Sequence, residues 1–150
     1  MTSPAEMTPR ERNEAMLTRL RSTDPEPYKE GGYVLRVLTT PGRRTDQLRS
    51  WPIAVVQRDG QRYLCAPNRQ RDWVRNLLAA GWCTVEGDEP ARHDVSLIES
   101  AEAADVVAGY LRALGRPSAM WPFPSDAPVA VIRSHLSEIA VFRLQPGATS

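Results

Sequence analysis

The sequence is poor in the residues that carry most side-chain chemistry. Its 150 residues hold two cysteines, two histidines and a single lysine. Cys65 and Cys83 cannot build the disulfide framework of a small secreted scaffold, and they lack metal-ligand spacing with His93 and His135. No metal site is expected, and both thiols read as small buried hydrophobes in a reducing compartment. Long apolar runs are missing too. The best of them, 34–38, is broken by Arg36 and falls far short of the roughly 20 residues a membrane span needs. The first 21 residues bear charges throughout, with no apolar stretch leading to a small-residue cleavage site. The expectation is a soluble cytoplasmic protein without integral membrane contact. A composition of 41% hydrophobic and 25% charged residues excludes a disordered or fibrous chain.

Arginine is abundant and unevenly placed. From Arg36 to Arg75 nine arginines face three acids, a local excess of +6, while residues 76–126 carry three arginines against eight acids, an excess of −5. The overall charge of +1 therefore hides a basic third of the chain with an electrostatic task or an acidic neighbour. Nucleic acid is not the expected partner, because aromatics are not interleaved as a stacking platform requires and three acids interrupt the patch.

Local patterns predict the elements. Thr8, Pro9 and Glu11 mark a helix start, and Asp24-Pro25-Glu26-Pro27 stops that helix near Arg21. Its apolar face is thin, which predicts packing on a surface or a partner. Runs rich in β-branched and aromatic residues predict strands at 33–39, 52–58, 62–66, 82–86, 92–98 and 138–144. Asp59-Gly60 predicts a type I′ hairpin. Asp72 is expected to cap a helix ending at Gly81, and a further helix is expected over 101–114 with Gly115 as its stop. This order lacks the strand–helix alternation of a parallel doubly wound sheet. It predicts an α+β, mainly β chain: a small antiparallel barrel with flanking helices, in which residues 1–27 form an N-terminal helix and linker and 28–150 a single barrel domain.

Between the first two predicted strands lies Thr39-Thr40-Pro41-Gly42-Arg43-Arg44-Thr45-Asp46-Gln47-Leu48-Arg49. Guanidiniums give paired, charge-assisted hydrogen bonds to phosphate or carboxylate, and glycine and threonine add further donors. The alternative is a solvated charged loop. It is not a Walker loop, since no Gly-Lys-Ser follows and the segment leads into a strand.

Two segments resemble the deazaflavin-dependent nitroreductase family. Its first motif, two threonines, Gly-Arg-Lys/Arg-Ser/Thr-Gly, a later arginine and Pro-Leu/Ile, is matched by Thr39, Thr40, Gly42, Arg43, Arg44, Thr45, Arg49, Pro52 and Ile53. Its second, a Trp-x-x-Asn-Leu/Val helix start with an Ala-Pro or Ala-Gly end, is matched by Trp73, Asn76, Leu77, Ala80 and Gly81. The resemblance spans about 31–86 and implies a split β-barrel related to FMN-binding oxidoreductases, with coenzyme F420, an 8-hydroxy-5-deazaflavin, as cofactor. Carried over by position, Arg43, Arg44, Thr45 and Arg49 hold the phosphate and polyglutamate tail. Pro52 and the backbone of Ala66, Pro67 and Asn68 flank the ring, and Trp73 and Asn76 fix the helix beside it. Two departures stand out. Asp46 replaces the usual glycine, and 67–71 is shorter than the family's glycine-rich loop, although Arg69 and Arg71 restore the charge lost to Asp46.

The resemblance implies an oxidoreductase that passes hydride from reduced F420 to a small acceptor such as a quinone or nitroaromatic. No catalytic side chain is expected, because the cofactor carries the chemistry. Tyr28, Trp121 and Phe123 are the expected substrate-pocket residues, with a hydrophobic plug of the barrel mouth as the alternative reading of 120–124. Two alternatives remain: an FMN-dependent enzyme of the same barrel, and a non-catalytic flavin- or deazaflavin-binding protein. By analogy with related barrels, a homodimer is implied.

Overall fold

A computed structural model describes residues 7–117 and 119–147. In chain order the elements are α1 (Pro9–Arg21), β1 (Tyr33–Pro41), β2 (Leu48–Arg58), β3 (Gln61–Ala66), α2 (Asp72–Ala80), β4 (Trp82–Val85), β5 (Arg92–Leu97), α3 (Ala101–Leu114), α4 (Val129–Arg133) and β6 (Ala140–Pro146). The six strands form a closed antiparallel barrel in the order β1-β2-β3-β6-β5-β4. Closure comes from β1 meeting β4, with Leu38 opposite Val85 and Thr39 opposite Thr84. The fold is mainly β with flanking helices, as the sequence predicts. Among the described residues no helix is long and apolar enough to cross a membrane.

Local chemistry sets most boundaries. Thr8 and Glu11 exchange side-chain to backbone hydrogen bonds in a capping box with Pro9 at the first helical position, so α1 begins there. Asp59 and Gly60 adopt φ values of 53° and 74°, the left-handed pair a type I′ turn demands. The Glu30 carboxylate accepts the amide hydrogens of both turn residues, which holds it below the usual carboxylate range. Gly81 and Gly115 end α2 and α3 in the left-handed conformation.

Four expectations need correction. β2 starts at Leu48, not residue 52, because Arg49 and Ser50 pair with Thr40 and Thr39. The basic loop therefore shrinks to 42–47, and Arg49 stands on a strand. Asp72 is the first residue of α2 rather than its cap; Arg71 holds the cap position without a side-chain hydrogen bond. The last strand lies two residues later than expected. Helix α4 has only five residues, too few for a helical period to show.

The strand period of two divides the apolar side chains between two layers. Leu38, Val55, Leu64, Val85 and Phe142 fill the barrel, joined by Val74 and Leu77 from α2. Val56, Tyr63, Ile139 and Val141 pack outward against α3, Ile132 of α4, Trp121 and Phe123. Residues 140–142 of β6 are buried on both faces, which explains their weak alternation. The contact with α3 is clamped by Glu102, which accepts from Tyr63 Oη at 2.7 Å and from Arg143; these bonds hold its carboxyl below the usual range.

Arg36, Arg62 and His93 precede Leu38, Leu64 and Val95 by two positions, so the same period sends them toward the interior. There they surround Asp88, whose side chain is 2% exposed. Tyr28 Oη stands 2.7 Å from both Asp88 carboxylate oxygens. Arg36 Nε, Arg62 Nη1 and His93 Nε2 lie 3.5, 3.6 and 3.5 Å from that carboxylate. The guanidiniums of Arg62 and Arg36 cover the Tyr28 ring at 3.6 and 4.6 Å from its centroid, a cation–π arrangement. Burial, then the Asp88 contact, pushes the Tyr28 phenol well above its ordinary pKa. Burial also pushes the Cys65 and Cys83 thiols up to about 12, so neither is a ready nucleophile.

Candidate functional site

A cleft of about 700 Å³ opens between the β1–β2 loop and the start of α2, within the range of small-molecule sites. Arg43, Arg44 and Thr45 reach it from the loop, Arg49 and Trp51 from β2, and Trp73 and Asn76 from α2. The loop closes on itself through Gly42 N to Gln47 O at 2.7 Å and Asp46 N to Gly42 O at 3.0 Å. Asp46 takes a φ of 60°, a conformation glycine adopts at less cost. Thr45 Oγ1 accepts from Gln47 N at 3.4 Å.

Asn76 holds this loop to the helix. Its Oδ1 accepts from Arg43 N at 3.1 Å and from Arg43 Nη1 at 2.8 Å, while Arg43 Nη2 reaches Asp72 at 3.2 Å. Arg43 is thereby committed to α2. Asn76→Ala is expected to cost roughly 1–3 kcal/mol, because it strips the acceptor from two donors of a part-buried group. Urea unfolding measures this, with an unchanged midpoint as the contrary result.

The nine arginines of the basic stretch sort into two groups. Arg36, Arg43, Arg58, Arg62 and Arg69 each pair with a carboxylate. Arg44, Arg49, Arg71 and Arg75 are exposed and, among the described residues, have no carboxylate partner. Three of those four line the cleft. Arg71 makes one weak contact, Nη2 to Met120 Sδ at 3.4 Å. Trp51 and Trp73 stack with centroids 5.7 Å apart and planes inclined by 30°. The Trp51 indole N–H is buried without an acceptor. Uncommitted guanidiniums beside a flat apolar wall suit a ligand that joins an anionic handle to a ring.

The other sequence-derived candidates are distributed elsewhere. Pro52 lies on β2 outside the cleft lining, and Ala66 is buried in the barrel. Pro67, Asn68, Arg69 and Trp121 line a second cleft, of about 490 Å³. Arg69 is tied there by Nε to Ile139 O at 2.6 Å, Nη2 to Leu136 O at 2.7 Å and Nη1 to Glu99 at 3.2 Å. Phe123 is buried against Trp121 and His135, and Tyr28 belongs to the Asp88 cluster. Thr39 and Thr40 spend their hydroxyls on Ser50 Oγ and Trp82 O. Trp51 is a cleft residue outside the sequence-derived set, and Arg71, read from the sequence only as restoring charge, lines the cleft itself. The readable signal for Trp51 was its place two residues beyond Arg49, on the strand extension that the pattern missed.

The chain is thus a closed six-stranded antiparallel barrel with an arginine-lined cleft at the β1–β2 loop. Among solved structures it superposes on a NimC/NimA family protein from Clostridium acetobutylicum, with a TM-score of 0.49 and 14% identity, over 87% of this chain and 78% of that one. It also superposes on a heme binding protein from Mycobacterium smegmatis, with a TM-score of 0.43 and 19% identity over 73% of this chain; the match spans 45% of that protein, less than half of it. No protein-family model and no curated protein matches the chain.

Proposed function

We propose that the arginine cleft binds a flavin-type cofactor by its phosphate-bearing tail, coenzyme F420 before FMN, and that the protein is a cytoplasmic oxidoreductase. When bound, reduced F420 supplies hydride to a quinone, a nitroaromatic or another electron-poor organic acceptor. The observation that carries this reading is the sorting of the arginines. Five of the nine are spent on carboxylates of the chain, and three that are not converge on one cleft. Exposed guanidiniums held near one another repel unless an anion lies between them. Their fork geometry matches phosphate and carboxylate alike, which favours a tail bearing both. Arg49 is fixed by its strand, Arg43 and Asn76 hold the loop in place, and Trp51 and Trp73 offer the ring a wall.

A second reading, cofactor binding without turnover, is favoured by Asp46, which adds a negative charge to the loop. Titration of the purified protein with oxidised F420 and, separately, with FMN tests the first step through absorbance changes. F420 is expected to bind more tightly, its tail carboxylates adding to its phosphate. Reduced F420 mixed with a panel of quinones and nitroaromatics tests the second step. Binding without oxidation supports the second reading, and failure of both cofactors to bind rejects the cleft assignment.

A further inference from the structure

The sulfur of the chain lies in two cysteines and four methionines, and an oxidant meets them differently. Burial pushes the Cys65 and Cys83 thiols up to about 12, so neither presents the thiolate that a peroxide attacks. Met7, just before α1, and Met16, on it, are half-buried; Met1 lies outside the described residues. Met120 is 63% exposed. Among the described residues it is the sulfur most open to a dissolved oxidant.

That sulfur touches the arginine cleft. Arg71 Nη2 donates to Met120 Sδ at 3.4 Å; Arg71 lines the arginine cleft and Met120 the second cleft beside it. The contact joins an oxidisable atom to one of the three arginines left without a carboxylate. The nearby Arg69 is already spent on Glu99 and two backbone carbonyls, so Arg71 is the guanidinium free to respond to a change at Met120. A thioether is a weak acceptor, and it does not compete with an anion whose bonds to a guanidinium are charge-assisted. A sulfoxide differs. Oxidation turns the flexible apolar side chain into a polar one, and its oxygen, carried on the atom that Arg71 already faces, is a far better acceptor than sulfur.

We propose that Met120 is a peroxide-sensitive modification site that regulates the arginine cleft: its sulfoxide captures Arg71 and lowers the affinity for phosphate-bearing anions, an inference that rests on the anion-binding reading of the cleft above. The sulfur lone pair attacks one oxygen of hydrogen peroxide, an S–O bond forms and the O–O bond breaks. The proton on the transferred oxygen passes to the departing one, which leaves as water. Sulfur is oxidised by two electrons and the peroxide is reduced by the same two. A sulfoxide is neutral, so the charge of the cleft is unchanged. What changes is the engagement of one guanidinium of three, which makes the loss of affinity partial. Enzymatic reduction of the sulfoxide reverses it.

The full chain is treated with hydrogen peroxide, and mass spectrometry of its peptides locates the added oxygen. Met120 is expected to be oxidised before Met7 and Met16. The Arg71 Nε–H signal in a proton–nitrogen NMR spectrum, assigned by its loss in Arg71→Ala, is expected to shift on oxidation with no anion present. Inorganic pyrophosphate is the anion probe. Oxidation is expected to weaken its binding about tenfold, the effect of withdrawing one charge-assisted hydrogen bond, and methionine sulfoxide reductase with a thiol is expected to restore it. Met120→Gln, whose amide oxygen stands in for that of the sulfoxide, should bind weakly without any oxidant. Met120→Leu should bind as the untreated parent does and ignore peroxide, while Arg71→Ala should start weak and lose nothing further. Earlier oxidation of Met7 or Met16, an unmoved Arg71 signal, or a fall in affinity that Met120→Leu shares overturns the proposal. Failure of the untreated chain to bind pyrophosphate counts instead against the cleft as an anion site; the Arg71 signal still decides the capture, so the two failures are distinguishable.

Discussion

Asp88→Ala is expected to be strongly destabilising. Its carboxylate is 2% exposed and, among the described residues, is the only acid paired with Arg36, Arg62 and His93. Removing one member of a buried charge cluster strands the others, at a cost of about 3–5 kcal/mol. For a chain of this length, that lowers the melting midpoint by roughly 10 °C. Tyr28→Phe removes one donor and leaves the charges paired, for a cost of about 1 kcal/mol. Asp88→Asn is the control, since it keeps the shape and an acceptor for Tyr28 while deleting the charge; it is expected to fall between the two. Calorimetric midpoints of the three variants decide the matter. An Asp88→Ala midpoint within about 2 °C of the parent would mean that water reaches the Asp88 cluster and screens its charges.

The Asp88 cluster also shows what the sequence could and could not reveal. Caps and turn glycines are local, so α1, α3 and the Asp59-Gly60 hairpin were legible where they occur. The β-branched and aromatic runs likewise marked the strands. Which strands meet is a long-range matter; nothing in the local pattern says that β6 inserts between β3 and β5, or that β1 closes on β4. The Asp88 cluster draws on four separated segments, and its one local trace is a charge standing in the inward phase of a strand. Counted along the chain, Arg36 and Arg62 belong to one basic stretch with Arg44 and Arg49. Arg36 and Arg62 turn inward to Asp88, whereas Arg44 sits in the β1–β2 loop and Arg49 at the exposed start of β2, both at the cleft, so the stretch is two populations with different tasks. Arg69 and Arg71 were read together as restoring charge, and only the fold separates them: Arg69 is tied to Glu99 and two carbonyls, while Arg71 lines the cleft where α2 meets the β1–β2 loop.

The division of the arginines gives the second large effect. Arg44→Ala, Arg49→Ala and Arg71→Ala combined are expected to weaken F420 binding by about three orders of magnitude or more. A hydrogen bond to a charged group contributes about 1.5–3 kcal/mol, and three uncommitted guanidiniums share the anionic tail. The folded state should barely notice. All three are exposed and, among the described residues, without a carboxylate partner, so each change lies within about 0.5 kcal/mol, and relief of mutual repulsion opposes any loss. Arg43→Ala supplies the contrast, because that side chain braces the loop through Asn76 and Asp72; its loss of affinity must come with a lower melting midpoint. Binding to the parent should also weaken as salt rises, and this dependence should flatten in the triple variant, since an exposed ion pair is screened within about 10 Å at 0.1 M. If the triple variant binds F420 as the parent does, those charges serve another partner and the tail lies elsewhere. If it loses both affinity and stability, Arg44, Arg49 and Arg71 are structural after all, and the separation between braced and waiting arginines fails with them.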